Sequence, residues 1–133
     1  MQYSISPATG VPIYQQLIDQ IAAGIARGQL RPNQRLPSVR ELSQTLVVNP
    51  NTVARAYTEL EREGVLYTRQ GLGVFVAEAP QPVAKRARRE RLLKLIDPLL
   101  VEAVRLGCTA EELIELIAER TRQFAWTEAT TTS

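Results

Sequence analysis

The 133-residue chain contains no histidine and a single cysteine, Cys108. Without histidine, imidazole acid–base chemistry and Ser-His or Cys-His nucleophilic pairs are excluded, as is any ordinary zinc cluster. One cysteine cannot build a disulfide framework within a chain. Long apolar runs are also missing, since none approaches the roughly 18 residues of a membrane span. The start, MQYSISPATG, has neither basic residues nor an apolar core. No signal peptide is therefore read, no membrane partner is expected, and a cytoplasmic location is. Gly71 and Gly73 lack the third glycine and the Lys-Ser/Thr that phosphate-cradling loops need. No catalytic residue, metal ligand or cofactor is expected, so the chain reads as a non-enzyme.

What is present is a globular composition, 44% hydrophobic and 23% charged, enough for one ordinary domain and a small appendage. The net charge of +2 is unevenly spread. Residues 1–80 hold seven bases and six acids, whereas residues 85–94 hold six bases (Lys85, Arg86, Arg88, Arg89, Arg91, Lys94) against Glu90. That run is either a solvated helix face or a ridge turned toward phosphates.

Apolar positions 13, 17, 18, 21, 22 and 25 follow a helical period, with Pro12 at the start and Gly28 at the end. Ser38 and Glu41 then form a capping box, opening a short helix that packs through Val39, Leu42 and Leu46. Val47-Val48 make the turn. Asn49 caps the next helix, with Pro50 at its first position, where a missing N–H costs nothing. That helix turns Val53, Ala56, Tyr57 and Leu60 inward and ends at Gly64. Two capped helices joined so tightly match helix-turn-helix anatomy. Val65–Tyr67 and Val74–Val76 flank Arg69-Gln70-Gly71-Leu72-Gly73, a short hairpin or wing.

The proline-bearing stretch APQPV marks a domain boundary. Beyond it, Leu92, Leu93, Ile96, Leu99, Leu100, Ala103, Val104 and Leu106 form a helical stripe. Pro98 should kink it near Asp97 or break and restart it there. Thr109 and Glu112 make a second capping box, before a helix with Leu113, Ile114, Leu116, Ile117 and Phe124 on one side. This region has only about 50 residues, below the size at which a lone core is usually stable. Its stripes call for a partner surface, simplest as a second copy, although folding back onto the winged domain would also cover them. The expected dimer contacts are Leu92, Ile96, Leu99, Leu100, Ala103, Leu113, Leu116 and Ile117. The expected fold is mainly α with a small β-wing: a winged helix-turn-helix plus a C-terminal two-helix dimerisation segment. The expected limits are 1–79 for the DNA-binding domain, 80–84 for the linker, 85–125 for the helical region and 126–133 for a flexible tail.

With residues 53, 56, 57 and 60 facing inward, the opposite stripe of the second motif helix is Asn51, Arg55, Thr58 and Arg62. Such a helix lies in a major groove with its first turn against base edges. Asn51 offers a paired donor and acceptor to adenine, and Arg55 a fork to guanine or a clamp on phosphate. Thr52 sits where helix N-terminal N–H groups favour a phosphate. The alternatives are a second capping role for Asn51 and an ion pair of Arg55 with Glu59, worth a few tenths of a kcal/mol. Arg35, Ser38, Arg40, Arg69 and Gln70 are further phosphate candidates, and Gly71 and Gly73 either let the wing tip approach the minor groove closely or serve only its tight turn.

The segments PIYQQL, LPSVRELS, NTVARAY, LEREG and the glycine-bearing wing, between Val11 and Ala77, resemble the GntR family of bacterial transcription regulators. The Asn-Pro-Asn-Thr-Val run, the compact size and the two-helix tail look like its YtrA subfamily. The resemblance implies a homodimer that binds a palindromic operator in double-stranded DNA, usually at its own promoter and usually as a repressor. It implies DNA contacts from Arg40, from Pro50, Asn51 and Thr52, and from Gly71. Many relatives have arginine at the position of Pro50, so their operator sequence does not transfer. YtrA-like regulators are often encoded beside ABC transporter genes. Other subfamilies carry an effector-binding or aminotransferase-like domain. This sequence has neither, nor a lysine set to hold pyridoxal phosphate, and any small-molecule effector is unknown. Cys108 reads as a small packing residue. The rival readings are an architectural or non-specific DNA-binding protein using the 85–94 ridge, and a winged-helix module that binds protein instead of DNA.

Overall fold

A computed structural model describes residues 2–78 and 85–126. The expected linker 80–84, and all of the expected tail beyond residue 126, lie outside the described residues. The elements run α1 (Ile13–Ala26), α2 (Val39–Leu46), α3 (Pro50–Arg62), β1 (Leu66–Arg69), β2 (Gly73–Val76), α4 (Lys85–Arg105) and α5 (Ala110–Thr121). They divide into two compact units, Met1–Gln81 with Ala125–Ser133, and Pro82–Phe124.

In the first unit, α1, α2 and α3 close around Leu17, Ile21, Leu42, Val53 and Leu60, each no more than 2% exposed. The capping residues act as their chemistry dictates. Ser38 Oγ accepts from the Glu41 N–H at 3.0 Å, and Asn49 Oδ1 from the Asn51 N–H at 2.8 Å. Both satisfy first-turn donors that no helical carbonyl can reach. Between these helices Val47 takes the left-handed conformation, φ 55°, and stands 89% exposed. Tyr57 of α3 donates its hydroxyl to the Pro37 carbonyl at 2.7 Å, tying α3 to the residue before the α2 cap.

The wing is antiparallel, pairing Leu66 with Val76 and Arg69 with Gly73. The stretch before α2 extends it. Arg35 bridges to Phe75, the Leu36 N–H donates to the Val74 carbonyl at 2.8 Å, and the Val76 N–H donates to the Gln34 carbonyl at 2.9 Å. Leu36, Leu66 and Val76 thereby enter the helical core. The segment before α1 is clamped by two glutamines one turn apart. Gln16 bonds both the N–H and the carbonyl of Ser6 at 2.9 Å, and Gln20 bonds both the N–H and the carbonyl of Ser4.

In the second unit, α4 continues through Pro98 rather than breaking there. The missing N–H deprives only the carbonyl of Lys94, which lies on an exposed turn. Thr109 Oγ1 accepts from the Glu112 N–H at 3.1 Å and starts α5. Of the apolar residues of α4 and α5 only Ala103 and Leu113 are buried.

Candidate nucleic-acid interface

α3 shows its core side and its open side as its helical period requires. Val53, Ala56, Tyr57 and Leu60 are buried, while Asn51, Arg55, Thr58 and Arg62 are exposed. Asn49 carries the capping bond. The Asn51 side chain makes no intramolecular hydrogen bond among the described residues, so its amide is available to a base edge. Pro50 is exposed beside it, and Thr52 is half-buried with its N–H donated to the Asn49 carbonyl.

Arg55 does not pair with Glu59, whose carboxylate is taken by Arg62. Its guanidinium instead lies over the ring of Tyr14 in α1, 3.7 Å from the centroid. A guanidinium on an aromatic face keeps its edge N–H groups open, which a carboxylate partner would occupy. Tyr14 is the residue that sequence reasoning missed. Its signal was an aromatic placed beside the α1 stripe rather than in it.

Arg40 projects from α2, exposed and without an ion-pair partner among the described residues. Ser38 is half-buried and occupied as a cap. Arg35 is exposed, 3.9 Å from Glu41, and its chain runs along the wing at Gly73. Arg69, Gln70 and Gly71 form the exposed wing tip, closed by the Leu72 N–H donating to the Arg69 carbonyl at 3.0 Å. Gly71 there has φ +79°, a conformation that side chains disfavour. Below the tip, Tyr67 and Phe75 stack with centroids 5.6 Å apart, and Arg69 sits over both rings. This aromatic platform steadies the cation nearest the tip, a second contribution not read from the sequence.

Among the expected dimer residues, Leu92, Ile96, Leu99, Leu100, Leu116 and Ile117 are 40–53% exposed. Ala103 and Leu113 are buried, 9% and 7% exposed. Cys108 is half-buried, and its thiol is pushed up by burial and by the neighbouring Glu112 carboxylate. No group of three or more acidic or thiol side chains is placed to hold a metal among the described residues. No helix among them is long and apolar enough to cross a membrane.

A winged helix-turn-helix whose second motif helix leaves an unpartnered amide and a ring-stacked guanidinium exposed has the form of a DNA-binding transcription regulator. Residues 13–76 match the bacterial regulatory proteins of the gntR family. The HTH-type transcriptional repressor YtrA of Bacillus subtilis is 36% identical over 115 residues, covering 86% of this chain and 88% of its own. The chain belongs to the GntR family of transcription regulators, which are DNA-binding proteins and not enzymes. A transcriptional antiterminator from Listeria monocytogenes superposes with a TM-score of 0.72 at 30% identity, over 91% of this chain and 90% of that one. YtrA from Sulfolobus acidocaldarius, a GntR-family transcription factor, gives 0.55 at 31% identity, over 90% and 97%.

Proposed function

We propose that this regulator is a repressor that binds a palindromic operator as a homodimer. The observation that carries the reading is the open stripe of α3, with Asn51 unbonded and Arg55 held on Tyr14. Asn51 and Arg55 read base edges. Arg40, Thr52, Thr58 and the wing residues Arg69, Gln70 and Gly71 set register on the backbone, with Arg35, Ser38 and Pro50 flanking them. Repression is supported by the likeness to a relative named a repressor. The dimer is supported by two amphipathic helices whose apolar residues stand open to water. Its second copy would place two α3 helices on half-sites one helical turn, or a multiple of it, apart. The likeness to YtrA extends the proposal to an ABC transporter operon as the controlled unit and to the cytoplasm as the place of action.

Footprinting on the DNA upstream of the chain's own gene, with unrelated duplex as competitor, tests this. Two protected half-sites that survive competition are expected. Equal displacement by unrelated DNA would favour the architectural reading. That alternative draws on Arg88, Arg89, Arg91 and Lys94, which lack ion-pair partners among the described residues. Absence of any complex at low salt would favour a protein-binding module.

A further inference from the structure

The helices of the second unit carry opposite charge, and each combines it with apolar residues. Residues 85–94, the first half of α4, hold six bases and one acid. By helical period Arg88 lies on the same side as Leu92, Ile96 and Leu99, and Arg89 beside it. An open hollow of about 650 Å³ is lined there by Arg86, Arg88, Arg89, Leu92, Leu93 and Ile96. In α5 the acids Glu111, Glu112, Glu115 and Glu119 face a single base, Arg120. Glu112 and Glu119 flank exposed Leu116, four and three residues away.

Within one chain these surfaces do not meet. α5 starts at the far end of α4, a 21-residue helix about 30 Å long. Arg88 and Arg89 have no carboxylate partner, and the four α5 glutamates no cation partner, among the described residues. A lone helix with so broad an apolar side and no packed neighbour is marginal in water.

We infer that the basic, apolar first half of α4 docks on the acidic, apolar α5 of a second copy, with the two α4 helices antiparallel. This rests on the homodimer proposed above and sets its register. A two-fold interface requires that whatever surface one copy offers, the other must answer with the complementary one. This unit carries both halves of such a pair. The antiparallel arrangement brings each Arg88-Arg89 pair toward the other copy's Glu112 and Glu119. A parallel one would lay base against base, and juxtaposed like charges disfavour association.

The test uses the full chain in two charge-reversed forms, Arg88→Glu with Arg89→Glu, and Glu112→Lys with Glu119→Lys. Their association is measured by sedimentation equilibrium and their helicity by circular dichroism. Each form alone should dimerise about tenfold or more weakly than wild type. An equimolar mixture should recover a heterodimer of near wild-type affinity, because both of its interfaces are again complementary. Lys94→Glu, on the other side of α4, should change little. Reversed forms that each dimerise as tightly as wild type, or weakened forms that mixing does not rescue, would overturn the register alone. A monomeric wild type would overturn the homodimer itself.

Discussion

The Arg55 guanidinium rests 3.7 Å above the ring of Tyr14, joining the exposed side of α3 to α1. Such stacking is worth about 0.5–1 kcal/mol where water has access. It also removes rotamer freedom that Arg55 would otherwise lose on meeting a base. Tyr14→Ala should therefore lower operator affinity by about threefold to fivefold, and Tyr14→Phe should leave it unchanged. Arg55→Ala should cost about 1–3 kcal/mol. In fluorescence anisotropy, adding Tyr14→Ala to Arg55→Ala should bring no further loss. Additive losses would mean that the ring acts on DNA independently of Arg55.

Tyr57 gives a prediction in pH. Burial, then the influence of Tyr3 and Glu41, hold its phenol well above the ordinary value of 10.0. The folded chain thus keeps a proton that the unfolded chain releases near that pH. The stability this contributes is complete below about pH 10 and is lost as pH climbs above it. Tyr57→Phe should cost about 1–3 kcal/mol at neutral pH, since the Pro37 carbonyl loses its donor. The same variant should show a shallower alkaline decline in urea unfolding. A decline as steep as wild type would assign the effect to other groups, Tyr3 first among them.

The wing glycines should not respond alike. Both have positive φ, but a Cβ at Gly71 meets nothing within 4 Å, whereas one at Gly73 would lie 3.0 Å from Arg35 Nε. Gly71→Ala should cost about 1–2 kcal/mol through backbone strain alone. Gly73→Ala should cost more and also displace the Arg35 side chain. Thermal unfolding gives the order, and equal melting temperatures would contradict it.

Ile96→Asp addresses the open stripe of α4. A carboxylate there would be desolvated in a dimer but solvated in a monomer, so association should weaken by well over tenfold. The winged unit should keep its own thermal transition. A footprint reduced to weak half-site protection, with a monomer mass in light scattering, is the expected pair of results.

The parts of this fold legible in the sequence were those decided by neighbours along the chain. Ser38, Asn49 and Thr109 cap the helices they precede because each reaches an N–H two or three residues on. The buried positions of α3 follow its period without exception. What was not legible joins distant positions. Tyr14 and Arg55 are 41 residues apart, and nothing local to either announces the other. The isolated Arg35–Phe75 bridge, which ties the pre-α2 stretch to the wing, is of the same kind. Pro98 failed as a breaker for a different reason, since an exposed carbonyl can bond water. The Ala103 and Leu113 positions repeat the stripe yet are buried, which periodicity alone does not mark.

Val47 has a practical consequence. A β-branched side chain at φ 55° is sterically disfavoured, and this one, 89% exposed, recovers almost nothing by packing. The bend between the motif helices is thus enforced by what flanks it, with half-buried Leu46 and Val48 packed on the core. Position 47 is accordingly an engineering handle. Asparagine or glycine there should raise the melting temperature, by relief on the order of 1 kcal/mol, while touching none of the exposed side chains of α3. A regulator hardened in this way would suit use as a biosensor component, where shelf life rather than operator choice sets the limit.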